Sequence, residues 1–287
     1  MEFVEIHLPG RTSAEGHASD GGPRDRRALR IEVQWIEATR SGAPLLVFLH
    51  EGLGSVSMWR DFPNRMCAAL ECRGLVYSRP GYGQSTPHDP DEPLWPDFMH
   101  IQATQVLPAL LHALNVNPER EPLILLGHSD GGSIALLYAA QFPSHVAAAI
   151  VLAPHLFVED ITVQNIAQAR QNYQQTDVPA RLARHHVNAD STFWAWNNIW
   201  LDPRFRQWNI EAEVAKLRCP VLAVQGLNDE YGTLQQIRQI AVLTPQCTLL
   251  ELSECGHSPH RDQTERLVQA TQLFLQQHCQ ETHHESC

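Results

Sequence analysis

The chain has 287 residues, 43% of them hydrophobic, and a formal net charge of −11 at pH 7. Such a chain can bury a sizeable core as one large α/β domain or two ordinary ones, which excludes disorder over most of its length. The balance is acidic and no cluster of Lys and Arg forms the basic stripe that nucleic acid requires, which excludes that partner.

The N-terminus, MEFVEIHLPG, has no basic region leading into an apolar run, and no stretch approaches the ~18 apolar residues of a membrane helix. A soluble, cytoplasmic protein without a membrane partner is the expectation. Residues 10–28 are rich in Gly, Ser, Asp and Arg without apolar period and predict a mobile loop. Then IEVQWIEA (31–38) alternates like a half-buried strand, PLLVFLH (44–50) is a continuous apolar run, and 58–72 has helical periodicity. GLVYSRPGYGQS (74–85) reads as a strand entering a Gly/Pro turn. A helix over 97–114, the strand PLILLG, the helix SIALLYAAQF and the strand AAAIVLA (147–153) follow.

From His155 to Arg218 the chain is polar and helical, with no core strand and with the aromatic cluster FWAWNNIW. Alternation resumes with PVLAVQG (220–226), a helix at 233–243, the strand CTLLEL (247–252) and a closing helix over 261–278. Strands alternating with helices, several of them continuous apolar runs, indicate an α/β fold with a mostly parallel central sheet covered by helices on both faces. The predicted organisation is a core made of 1–154 and 219–287 and a helical insertion at 155–218. No repeats occur.

The cysteines at 67, 72, 219, 247, 255, 279 and 287 are odd in number and never form C-x-x-C, so neither a disulfide framework nor a zinc site is expected. The only lysine, Lys216, is a solvated charge before a proline-led strand, which leaves Schiff-base and pyridoxal chemistry without a residue. The His283-His284 pair lies in a polar tail and reads as a solvated end. No metal or cofactor is expected.

One short motif carries chemistry. Gly127-His128-Ser129-Asp130-Gly131 follows an apolar strand and opens an apolar helix, so Ser129 falls on a strand-to-helix turn. Small residues at both ends let the backbone bend sharply, and the helix N-terminus favours developing negative charge. Ser129 is the candidate nucleophile. The adjacent His128 and Asp130 diverge from it in so tight a turn and cannot serve as its base and acid.

These residues resemble the α/β-hydrolase superfamily, whose chain order is Ser, then acid, then His. The resemblance covers nearly all the chain after residue 30. It implies an acid at Asp229 in PVLAVQGLNDEYG and a base at His257 in LLELSECGHSPH, spaced 100 and 28 positions along the chain. Both follow predicted core strands, which independently brings them to the serine's edge of the sheet. Glu230, Glu159, Asp160 and His260 are less well placed rivals. The resemblance further implies an oxyanion hole from the backbone N–H groups of Asp130 and Gly52, the latter in His50-Glu51-Gly52-Leu53-Gly54. Glu51 replaces the usual glycine and either turns into a buried hydrogen-bonded pair or is kept protonated. Ser78 replaces the usual aspartate of the D-x-P-G-x-G-x-S turn, a structural position.

The insertion is expected to form a lid, with Glu51, Leu53, His128, Trp194 and Trp200 the candidates for contact with a small-molecule substrate that has an apolar or aromatic part. Phe193, Trp196, Phe205 and Trp208 complete the aromatic set. A serine hydrolase of a carboxylic ester or thioester is the first reading. A carbon–carbon bond hydrolase of ring-cleavage products is the second, weakened by Ser258 where that group commonly has tryptophan. A non-catalytic hydrolase-like binding protein is the third. A serine nucleophile argues against haloalkane dehalogenase and epoxide hydrolase chemistry. Oligomeric state is not legible.

Overall fold

A computed structural model describes residues 2–9, 26–38, 40 and 42–279. Eight strands form one sheet: β1 (Glu2–Pro9), β2 (Arg26–Ile36), β3 (Leu45–Leu49), β4 (Arg73–Tyr77), β5 (Leu123–His128), β6 (Val146–Leu152), β7 (Val221–Gly226) and β8 (Cys247–Leu252). Their order is β1-β2-β4-β3-β5-β6-β7-β8. The first two are antiparallel to their neighbours, and from β4 onward all run parallel.

The helices in chain order are α1 (Phe62–Leu70), then α2 (Phe98–Ile101), which runs through a π turn into α3 (Leu107–Ala113), and α4 (Asp130–Gln141). Between β6 and β7 lie α5 (Asp160–Gln175), α6 (Val178–Leu182), α7 (Ala189–Trp200) and α8 (Glu211–Val214). After β7 come α9 (Gln235–Leu243), α10 (Pro259–Asp262) and α11 (Thr264–Cys279). The expected closing helix is thus broken in two, because Gln263 leaves helical geometry at the end of α10.

The central strands are continuous apolar runs because both faces are covered. Leu45, Val47 and Leu49 of β3 join Met99, Leu107 and Ile134 on one side. Leu46 and Phe48 pack on the other side with Phe62 and Met66 of α1 and Phe274 of α11. Side-chain alternation along a strand makes the two sets exclusive. The aromatics Phe193, Phe205 and Trp208 of the segment between β6 and β7 extend the first of these cores, with Tyr173 stacked on Phe193 at 3.7 Å between centroids.

One N-terminal expectation needs correction. Residues 26–28 are not loop but the start of β2, and they pair with Leu8, His7 and Pro9 of a strand, β1, that sequence pattern did not announce. Only Ile6 of β1 is buried, so this edge strand carries too little apolar periodicity to be read. Residues 10–25 and the His283-His284 pair lie outside the described residues. Among the described residues no helix is long and apolar enough to cross a membrane.

Glu32 of β2, 1% exposed, explains how the turn after β4 works without its aspartate. Its carboxylate accepts from the Ser78 hydroxyl at 2.7 Å and the Gln84 N–H at 2.8 Å, while Ser78 Oγ accepts from the Val56 N–H at 2.9 Å. The negative charge expected at position 78 is supplied from the adjacent strand. Glu32→Ala strands the Ser78 and Gln84 donors, and each buried group left unpaired costs about 1–3 kcal/mol. A lowered urea midpoint at unchanged slope is the expected result, with Glu32→Gln retaining part of the loss.

Candidate active site

Ser129 joins β5 to α4 with φ 53° and ψ −120°, a left-handed backbone that costs an L-residue about 1–3 kcal/mol. Crowding on both sides enforces it. A Cβ on Gly127 would lie 2.1 Å from the Gly131 carbonyl oxygen, and one on Gly131 would lie 2.0 Å from that of Leu49. Only glycine fits at either position, so the turn is closed tightly enough to lift the serine hydroxyl off the strand.

The loops after β7 and β8 bring their residues to this hydroxyl. The Ser129 hydroxyl donates to His257 Nε2 at 2.9 Å, and His257 Nδ1–H donates to Asp229 Oδ1 at 2.8 Å. Asp229 is further held by the Tyr231 N–H at 2.8 Å and by Gln225 Nε2 at 3.1 Å. Burial opposes charge on both partners, but their mutual contact outweighs it: the His257 pKa is raised above the usual 6.5 and the Asp229 carboxyl is lowered. Such a relay can take the serine proton and stabilise the resulting imidazolium.

The sequence rivals are engaged elsewhere. Glu159 accepts from Thr233 and Gln236, Asp160 pairs with Arg206, and Glu230 accepts the His257 backbone N–H at 3.2 Å. His260 packs against Trp59 at 4.9 Å between ring centroids, away from the serine.

Ser129 opens into a cavity of about 120 Å³ bounded by Gly52, Asp130 and His257, with Glu51, Leu53, His155 and Tyr231 on its walls. Ile166 of α5 and Trp196 and Trp200 of α7 cover it from the insertion. The backbone N–H groups of Gly52 and Asp130 donate to no acceptor among the described residues. Trp196 lies so close over Gly52 that a Cβ there would be 2.1 Å from the indole Nε1, which makes glycine necessary at that position as well.

Of the side chains expected to touch substrate, Glu51, Leu53 and Trp200 line this cavity and two do not. His128 is buried behind the site, where its Nε2–H donates to the His257 carbonyl at 2.7 Å, making it a packing residue. Trp194 faces the other side of α7, where it lines a separate cavity of about 430 Å³. The carboxylates of that larger cavity, Glu92, Asp190 and Asp202, are already paired with Arg27, Tyr173 and Arg204, and it lies away from the serine. Trp196, named only within the aromatic set, is on the cavity wall, and His155, Tyr231 and Ile166 were missed. His155 had a readable signal, since it follows the end of β6 at the same sheet edge as Asp229 and His257.

The Glu51 carboxylate turns toward His128 Nδ1 and Arg261, each at 3.6 Å. Burial works against its charge, and the contact with His128 outweighs burial, so its pKa lies well below the usual carboxylate range. Neither alternative for Glu51 holds in full: the carboxylate faces two basic side chains, at 3.6 Å, beyond hydrogen-bond distance. Among the described residues no group of three or more His, Cys, Asp and Glu is placed to hold a metal ion.

Residues 46–270 match the model of the alpha/beta hydrolase family, and the chain belongs to that family. It is 31% identical to human monoglyceride lipase over 115 residues, which is 40% of this chain and 36% of that protein. It is 24% identical over 279 residues to mouse sn-1-specific diacylglycerol lipase, covering 88% of this chain and 87% of that one. The chain thus spans about a third of the first lipase and most of the second. A meta-cleavage product hydrolase from Pseudomonas fluorescens superposes with a TM-score of 0.64 at 15% identity, over 87% of this chain and 95% of the other. That likeness is one of fold.

The opposed effects on His257 can be separated by histidine NMR. Its imidazole titrates above pH 6.5 in the wild type, and Asp229→Asn shifts that titration downward, because burial then acts without its carboxylate partner. His155, buried without a hydrogen-bonded carboxylate, has a pKa of about 3 in the wild type, and loss of the Asp229 charge moves it no higher in the variant. An unmoved His257 titration in Asp229→Asn would contradict this account.

Proposed function

We propose that the protein is a serine hydrolase cleaving a small-molecule carboxylic ester or thioester through an acyl-enzyme. The carrying observation is the hydrogen-bonded Ser129–His257–Asp229 relay opening onto a cavity edged by two free backbone donors. Ser129 Oγ adds to the substrate carbonyl carbon while its proton passes to His257 Nε2, and Asp229 stabilises the imidazolium. The carbonyl oxygen, now an oxyanion, is held by the Gly52 and Asp130 N–H groups. Collapse expels the alcohol or thiol, protonated by His257. Water then attacks the acyl-enzyme by the same steps in reverse roles.

The insertion acts as a lid, with Ile166, Trp196 and Trp200 forming the apolar roof. The cavity, of about 120 Å³, is small. It suits a short acyl group with an apolar or compact aromatic neighbour. The lipase names among the relatives support ester cleavage. The fold likeness to the meta-cleavage product hydrolase supports a second reading, hydrolysis of a carbon–carbon bond by the same three residues.

Ser129→Ala should lower kcat on p-nitrophenyl acetate by about 10⁴–10⁶ and abolish labelling by a fluorophosphonate, and Asp229→Asn should cost about 10⁴. Because His257 must be neutral to act as base and its pKa is raised, kcat/KM should climb with pH along a limb centred above 6.5. An unlabelled Ser129 in folded protein overturns the enzyme reading. Faster turnover of dienol-diones than of any ester decides for carbon–carbon cleavage.

A further inference from the structure

We propose that Arg79 is a positioning residue for acyl transfer, its buried guanidinium holding the peptide unit of Gly52 through the Glu51 carbonyl and facing the side chain of Asp130, the two residues whose N–H groups receive the oxyanion. The inference rests on the reading above and adds a residue which that reading does not use. Arg79 follows β4 in the turn that Glu32 and Ser78 hold shut, and it is 0% exposed.

The first tie runs through the Glu51 carbonyl. Arg79 Nη2 donates to that oxygen at 2.8 Å, and the same oxygen accepts from His50 Nδ1–H at 2.7 Å and the Gly54 N–H at 3.1 Å. A carbonyl has two lone pairs, and here three donors, one of them charged, converge on it. The C=O of Glu51 and the N–H of Gly52 belong to one trans peptide and point in opposite directions. Fixing the oxygen therefore fixes where the Gly52 N–H points. Drawing electron density toward that oxygen also makes the N–H a stronger donor. Arg79 secures the second of these donors too: its backbone N–H donates to His50 Nε2 at 3.0 Å, which places the ring proton on Nδ1.

The second tie runs to α4. Arg79 Nη2 stands 3.7 Å from Asp130 Oδ2, and Asp130 is the first residue of that helix. That distance is longer than a hydrogen bond. Nε and Nη1 of Arg79 have no hydrogen-bond partner among the described residues, and the Asp130 carboxylate, which the Trp200 indole also faces, accepts no hydrogen bond from the guanidinium. The guanidinium lies over the Tyr82 ring, 4.5 Å from its centroid. A buried cation so incompletely neutralised projects its field, in a low dielectric, onto the side of the cavity where negative charge develops.

The test compares Arg79→Met and Arg79→Lys in the full chain with wild type and Ser129→Ala. With p-nitrophenyl acetate, Arg79→Met should lower kcat by about 10²–10³ while KM stays within about threefold, the split expected of a group that acts only in the transition state. Arg79→Lys keeps the charge and one bond, and should recover about tenfold of that loss. Affinity for a trifluoromethyl ketone, which adds Ser129 as a hemiketal oxyanion, should fall in step with kcat. Where Arg79→Met does not fold, Arg79→Lys and Arg79→Gln carry the same comparison. A folded variant with wild-type kcat, or with lowered kcat but undiminished ketone affinity, overturns the role of Arg79 alone. A wild type inert toward both ester and ketone overturns the acyl-transfer reading and this inference with it.

Discussion

The site depends on one backbone constraint, the left-handed conformation of Ser129. It is held by the contact of Gly127 with the Gly131 carbonyl and of Gly131 with the Leu49 carbonyl, so β5, α4 and the end of β3 meet at closer range than any side chain allows. A strained turn persists only where its surroundings over-determine it. Here the parallel β3–β5–β6 ladder supplies that rigidity, together with the Ser129 N–H donating to the Leu152 carbonyl at 2.8 Å. The same closure that lifts the hydroxyl also carries the loop after β3, with Gly52, to the serine's side.

What could be read in the sequence followed from that geometry. Parallel strands end on one edge, so the loops after β5, β7 and β8 had to converge, and the chain order implied by the family resemblance then singled out Asp229 and His257 as partners for Ser129. Contacts perpendicular to the strands were less legible. Glu32 lies 46 positions before Ser78 and nothing local links them. The cap was read as an aromatic cluster without its faces being resolved. Helical spacing would have separated them, since Trp196 and Trp200 are four apart and face the serine, while Trp194 and Asn198, also four apart, face the other cavity. β1 was invisible because an edge strand with one buried residue has almost no pattern to show.

Two substitutions relative to the family's usual pattern are compensated at a distance. Ser78 lacks a carboxylate, and Glu32 supplies one to the same turn. Glu51 adds a carboxylate where glycine is usual, and His128 and Arg261 face it at 3.6 Å. In both places the net arrangement is a buried charge with a partner drawn from another element, which binds the turn after β4 to β2 and the loop after β3 to the loop after β8. The loops that carry the site are therefore fastened to one another as well as to the sheet.

The buried histidines of the loops that carry the site show how selective that fastening is. Burial lowers the pKa of His50, His155, His186 and His260 and keeps those rings neutral. His257, also buried, moves the opposite way because Asp229 alone among the nearby carboxylates reaches a ring nitrogen at hydrogen-bond distance, 2.8 Å. Four neutral imidazoles add no positive charge that would compete for the Asp229 carboxylate or push the His257 pKa back down. Proton affinity is thereby concentrated on the one ring whose other nitrogen touches the Ser129 hydroxyl. Of the two histidines on the cavity wall, His155 and His257, only His257 can act as base, and the choice is made by one carboxylate at the end of β7.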